Sequence, residues 1–113
     1  MRTIKLGDTE VKITASAFIS HLYKKDFGSD ILTDFTMMSE LQNMSNLLQI
    51  IYAMAKNAVY PSRIDDYEIW LYNLGNINLF DDSVIEAVNE EMTNAFFRSK
   101  KIQPKNSTQE KSK

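Results

Sequence analysis

The chain has 113 residues, enough for one domain of ordinary size, and with 43% hydrophobic and 11% aromatic residues it has the material for a core, which excludes disorder of the whole chain. There is no Cys and a single His, at position 21, which rules out disulfides and thiolate zinc sites and leaves a poor metal or catalytic candidate. Residues 1–99 hold 8 Lys or Arg against 14 Asp or Glu, whereas residues 100–113 hold 5 Lys against 1 Glu; an acidic body argues against a nucleic-acid surface, and the basic end reads as a flexible, solubilising tail.

In chain order, RTIKL (2–6) and EVKIT (10–14) alternate in character, with Ile4 and Leu6 on one face and Val11 and Ile13 on one face. Gly7-Asp8-Thr9 between them suits a tight reversal, so a β-hairpin is expected. Two strands alone are marginal in water, and this hairpin must lay its apolar face on helices. Thr14 is a capping residue for a helix from Ala15 to Phe27, whose stripe is Ala15, Phe18, Ile19, Leu22 and Tyr23 and which Gly28 stops. His21 falls at its polar edge. Ser29-Asp30 introduces a short helix through Ile31, Leu32, Phe35 and Met38, and Ser39-Glu40 introduces the next.

That next stretch, Leu41 to Tyr60, organises the rest. It has no Gly or Pro and no charge before Lys56, and its apolar positions sweep roughly 200° of a helical wheel, against about 100° for an ordinary surface helix. A stripe this wide needs cover from more than one side, which marks a central helix. Gln42, Ser45, Asn46 and Gln49 along its other face exclude a membrane span. Pro61 ends it. Asp65 or Asp66 then caps a helix to Leu74, with the stripe Tyr67, Trp70, Leu71 and Leu74 and with Ile69 and Tyr72 off it. Residues 76–80 read as a loop. Asp82 or Ser83 caps a last helix to about Ser99, with the stripe Val84, Ile85, Val88, Met92, Ala95 and Phe96 and with Phe97 about 100° beyond it. The expected fold is α+β and mainly α: an N-terminal β-hairpin (2–14) packed on about five helices (15–99) around a central helix, a single folded domain over 1–99 followed by a flexible basic tail over 100–113. The opening residues lack the apolar segment of a signal peptide, which points to the cytoplasm.

Few motifs carry chemistry. Asp82, Glu86 and Glu90 recur every fourth residue beside Asp81 and Glu91, but without the Asp/Asn/Gly loop of a calcium site they read as a solvated helix face. Gly7, Gly28 and Gly75 are isolated, so no phosphate-cradling loop exists, and one His offers no nucleophilic triad. The expectation is a protein without enzymatic activity, with no catalytic residues, cofactor or metal. A DNA-reading helix is disfavoured by the weak basicity of the central helix.

The order of segments resembles the tail assembly chaperones of long-tailed bacteriophages and prophages of Gram-positive bacteria. The resemblance spans roughly residues 2–99 and is carried by the hairpin RTIKLGDTEVKIT, by Phe27-Gly28-Ser29-Asp30-Ile31 within KKDFGSDI, and by Asp66-Tyr67-Glu68-Ile69-Trp70-Leu71 within DDYEIWLYNL. It implies a non-enzymatic protein of the host cytoplasm, absent from the mature virion, that holds the tape measure protein soluble and recruits tail tube protein subunits. Many such phages also make a longer, frameshifted form; if one exists here, the resemblance implies that this chain is the short form and that the extension joins at the basic tail. Nucleic acid and membrane are not among the implied partners, and self-association stays open. A chaperone of helical segments needs apolar side chains outside its own core. Those singled out as partner-binding are Ile69, Tyr72 and Phe97, which escape the internal stripes, with Met37 and Met38 as adaptable neighbours. Core packing or incidental exposure is the competing account of each. The alternative functions are a small cytoplasmic adaptor or regulatory protein and, further off, a DNA-binding regulator.

Overall fold

A computed structural model describes residues 1–41, 43–78 and 81–97; residue 42, the pair 79–80 and residues 98–113, with the expected end of the last helix and the expected tail over 100–113, lie outside the described residues. Strands β1 (Arg2–Leu6) and β2 (Thr9–Ile13) pair antiparallel, with Ile4 opposite Val11 and Arg2 opposite Ile13. The period-2 pattern fixes the faces: Ile4, Leu6, Val11 and Ile13 are buried, while Thr3, Lys5, Glu10 and Lys12 face out. The loop is shorter than expected, only Gly7-Asp8, because Thr9 already pairs with Leu6. Gly7 takes φ 62°, the positive value that both primed hairpin turns require at their first loop residue. A Cβ there would also collide with the Asn76 carbonyl oxygen, so the turn is seated against the loop that follows the fourth helix.

Helix α1 spans Phe18–Phe27, three residues shorter than the Ala15 start expected from a Thr14 cap. The intervening backbone is held elsewhere. The Thr14 amide donates to the Met54 carbonyl at 3.3 Å, the Thr14 carbonyl accepts from Asn57 Nδ2 at 3.1 Å, and the Ala15 amide donates to Glu91 Oε1 at 3.1 Å. These bonds tie residues 14–15 to Met54, Asn57 and Glu91 ahead of the helix, and Ala17 opens α1 with no side-chain cap. Gly28 ends it at φ 75°, donating to the Lys24 carbonyl at 2.8 Å.

Helix α2 (Ile31–Leu41) is capped by Asp30, whose carboxylate accepts from the Thr33 amide at 3.1 Å. Ser39 and Glu40 lie inside it and do not open the central helix. That helix, α3 (Met44–Val59), starts three residues later than expected, because Asn43 caps it: Asn43 Oδ1 accepts from the amides of Ser45 at 3.1 Å and Asn46 at 3.3 Å. Ile50 through Ala55 are all buried, which no one-sided amphipathic helix allows. The cover comes from α1, α2 and β2, all packed on α3, as the wide stripe predicts.

After α3 comes a cis Tyr60-Pro61 bond and then α4 (Tyr67–Leu74). Tyr67, Trp70 and Leu71 are half-buried and Leu74 is buried, so the expected stripe is the inward one. An aromatic knot anchors α4: Tyr67 meets Phe27 at 4.9 Å and Tyr52 at 5.2 Å between ring centroids, and Trp70 meets Tyr52 at 5.2 Å. Tyr52 Oη donates to the Asp65 carbonyl at 2.7 Å and pins the entry to α4. The last helix, α5 (Asp82–Phe96), is capped by Asp81, one residue before the expected position, through the Ser83 amide at 2.8 Å. One core joins residues of both strands and all five helices. Among the described residues no helix is long and apolar enough to cross a membrane.

Candidate partner-binding surfaces

On α4 the inward positions Tyr67, Trp70, Leu71 and Leu74 span roughly 100° of the wheel. The opposite arc carries Glu68, Ile69, Tyr72 and Asn73, all exposed. Ile69 is 52% exposed and Tyr72 is 86% exposed, and their spacing of three places them side by side. Burying an Ile side chain stabilises by about 1.5–3 kcal/mol, so an Ile and a Tyr left in water on one face are contact-ready surface. Tyr72 is thus almost fully open and Ile69 about half open.

The other predicted residues sit elsewhere. Met37 is exposed on α2. Met38 is only 5% exposed and packs in the core, so it is not part of the same outer surface as Met37. Its neighbours Ser39, Asn43, Met44, Leu47, Ile85 and Asn89 line a cavity of about 110 Å³ where α2 ends and α3 begins. Phe97 caps α5, its amide donating to the Thr93 carbonyl at 2.8 Å. It is twelve residues beyond Ile85, or about 18 Å along the helix axis, so Phe97 and the methionine region are separate places. Of the five residues, only Ile69 and Tyr72 are brought together on one face.

Two features escaped the sequence reading. Phe18, expected in the α1 stripe, is 38% exposed because α1 begins only there; its ring meets Tyr60 at 4.7 Å and His21 at 5.5 Å. Beside this trio, a cleft of about 280 Å³ is lined by Leu22, Lys25, Lys56, Tyr60, Arg63 and Asp66, among others. Lys56 is neutralised by Asp26 at 2.8 Å, and Asp66 offsets a second charge. With Lys25, Lys56 and Arg63 set against Asp26 and Asp66, the cleft keeps one net positive charge, and Lys25 lies too far from the other two in sequence for a local pattern to group them.

Other polar groups tie elements of the fold together. Glu91, read as part of a solvated face, is 8% exposed. It accepts from Arg2 Nε at 3.2 Å and from the Ala15 amide at 3.1 Å, while Arg2 Nη2 reaches Glu90 at 2.7 Å. The Tyr23 hydroxyl donates to Asp34 Oδ2 at 2.7 Å, and Gln49 Oε1 stands 3.0 Å from the Tyr23 hydroxyl oxygen. One phenol proton serves one acceptor, so the second contact becomes a hydrogen bond when Gln49 turns its amide nitrogen inward. Burial, then Asp34, push the Tyr23 phenol well above its ordinary range. Among the described residues no group of three or more His, Asp or Glu is placed to hold a metal ion. Comparisons of the chain with protein-family models, with curated proteins and with solved structures find no match.

Proposed function

We propose that the protein is a non-enzymatic phage tail assembly chaperone that binds the tape measure protein and recruits tail tube subunits. Support comes from the order of the hairpin, KKDFGSDI and DDYEIWLYNL segments. The single observation that carries the reading is the pair Ile69 and Tyr72, exposed on the outer face of α4 while its opposite face is anchored in the aromatic knot. A chaperone that shields an aggregation-prone helix needs an apolar face on a rigid support. The site of action is the host cytoplasm, and the protein leaves before the virion is complete.

Co-expression tests it. The tape measure protein is the product of the long coiled-coil gene expected downstream, with a tail tube gene upstream. Wild-type chain keeps that product in the soluble fraction, and the Ile69→Ser/Tyr72→Ser variant, with unchanged helical circular dichroism, loses most of that effect. A tape measure protein equally soluble with and without the chain overturns the proposal.

A further inference from the structure

Residues 64–97 contain no Lys or Arg, yet they carry Asp65, Asp66, Glu68, Asp81, Asp82, Glu86, Glu90 and Glu91. The last two are engaged by Arg2. Asp65, Asp66 and Glu68 surround the start of α4, all three exposed, and among the described residues none is ion-paired. Asp66 borders the cleft that also holds Arg63, whereas Asp65 and Glu68 are not among the residues lining it. On the helical wheel Ile69 and Tyr72 sit at the middle of the outer arc, with Glu68 to one side and Asp66 and Asn73 to the other. An apolar pair is thus flanked by carboxylates.

From this arrangement we infer that the outer face of α4 docks a cationic amphipathic helix. The partner's apolar stripe covers Ile69 and Tyr72, and its Lys or Arg side chains pair with Glu68 and Asp65. Charge complementarity selects this occupant. An acidic helix would set like charges against the carboxylates, and a nucleic acid would meet a surface without a free cation on the same helix. The apolar centre supplies contact area, and the rim charges supply register and on-rate. The inference deepens the proposed function, since it rests on α4 being the partner-binding element, and it adds the sign of charge and the helical form of the segment bound.

Amide-resolved NMR titration of the full chain tests it, with two helical peptides of about 18 residues, long enough to be stable. Both carry the same Leu stripe, and the polar face is Lys in one and Glu in the other. The Lys peptide shifts the amides of Glu68 to Asn73 to saturation, and raising the salt from about 50 to about 300 mM weakens it severalfold as the rim charges are screened. The Glu peptide binds about tenfold more weakly, as does the Lys peptide with the Asp65→Asn/Glu68→Gln variant, whose exposed substitutions leave the aromatic knot in place. Equal binding of the two peptides, undiminished binding by that variant, saturable shifts confined to α5, or no shifts in α4 each overturn the inference. The chaperone reading fails separately. A tape measure protein left insoluble while the Lys peptide docks on α4 sinks the chaperone assignment alone, and a tape measure protein kept soluble while α4 is unmoved sinks the docking inference alone.

Discussion

Glu91 holds Arg2 at 3.2 Å with one carboxylate oxygen and the Ala15 amide at 3.1 Å with the other, tying the first strand and the strand-to-helix link to α5. Both bonds are charge-assisted and partly buried, a class worth about 1.5–3 kcal/mol each when a partner is lost. Glu91→Ala is therefore expected to lower the unfolding free energy by about 2–4 kcal/mol, since it leaves the Ala15 amide and the Arg2 guanidinium short of a partner. Glu90→Ala, which removes an ion pair more than a third exposed on both sides, is expected to cost about 0–1 kcal/mol. Urea denaturation of the two variants checks the ranking, and equal losses would show that the buried carboxylate has no special role.

The core prediction separates burial from function. Ile51 and Met54 are fully buried on the central helix, so Ile51→Ala and Met54→Ala should each cost about 2–5 kcal/mol. Tyr72→Ser, on the outer face of α4, should stay within about 0.5 kcal/mol of wild type. Chemical denaturation measures all three. A large loss in Tyr72→Ser would mean that this side chain has a structural partner.

What the sequence made legible follows from what periodicity can see. The alternation of Ile4, Leu6, Val11 and Ile13 named the buried face of the hairpin, and the wide stripe of α3 announced cover from several sides. The off-stripe positions Ile69 and Tyr72 are visible in sequence because wheel geometry depends only on local spacing. Helix limits were less legible. Leu41 continues the apolar pattern across the break, and only the Asn43 side chain, bonding forward to Ser45 and Asn46, separates α2 from α3. Thr14 looked like a cap because its amide partner, Met54, lies forty residues away. Glu91 reads as solvent-facing for the same reason: its partners are 89 and 76 residues distant, beyond the reach of any local pattern.

Two backbone positions test those corrected boundaries. Asn43→Ala should cost about 1 kcal/mol by removing the cap of α3. Gly7→Ala should cost more than Gly28→Ala. Both residues sit at positive φ, which costs a residue with a Cβ about 1–2 kcal/mol, but only Gly7 also faces a carbonyl, that of Asn76, where open space surrounds Gly28. Thermal or urea unfolding of the three variants gives the order. A Gly7→Ala variant as stable as Gly28→Ala would mean that the hairpin turn is not seated on the loop after α4.

The aromatic knot predicts how stability depends on alkaline pH. The Tyr52 phenol is pushed up to about 12 by burial, with Asp26, Asp66 and Asp65 adding to the shift. Burial raises Tyr67 as well, and burial with Asp34 raises Tyr23. In the unfolded chain these phenols ionise near pH 10. Below about pH 10 both states keep their phenol protons, so the stabilisation from the buried neutral rings is fully present. As pH rises further the unfolded state releases protons that the folded state retains, and the unfolding free energy falls until the folded phenols ionise, for Tyr52 at about 12. Urea unfolding should therefore give a flat profile from about pH 8 to about pH 9.5 and a steady decline by about pH 11. Tyr52→Phe should make that decline shallower, with Tyr67 and Tyr23 still contributing, while lowering stability at neutral pH by about 1 kcal/mol through the lost bond to the Asp65 carbonyl. Unchanged stability of the wild-type chain through about pH 11 would mean that the knot around α4 is open to water.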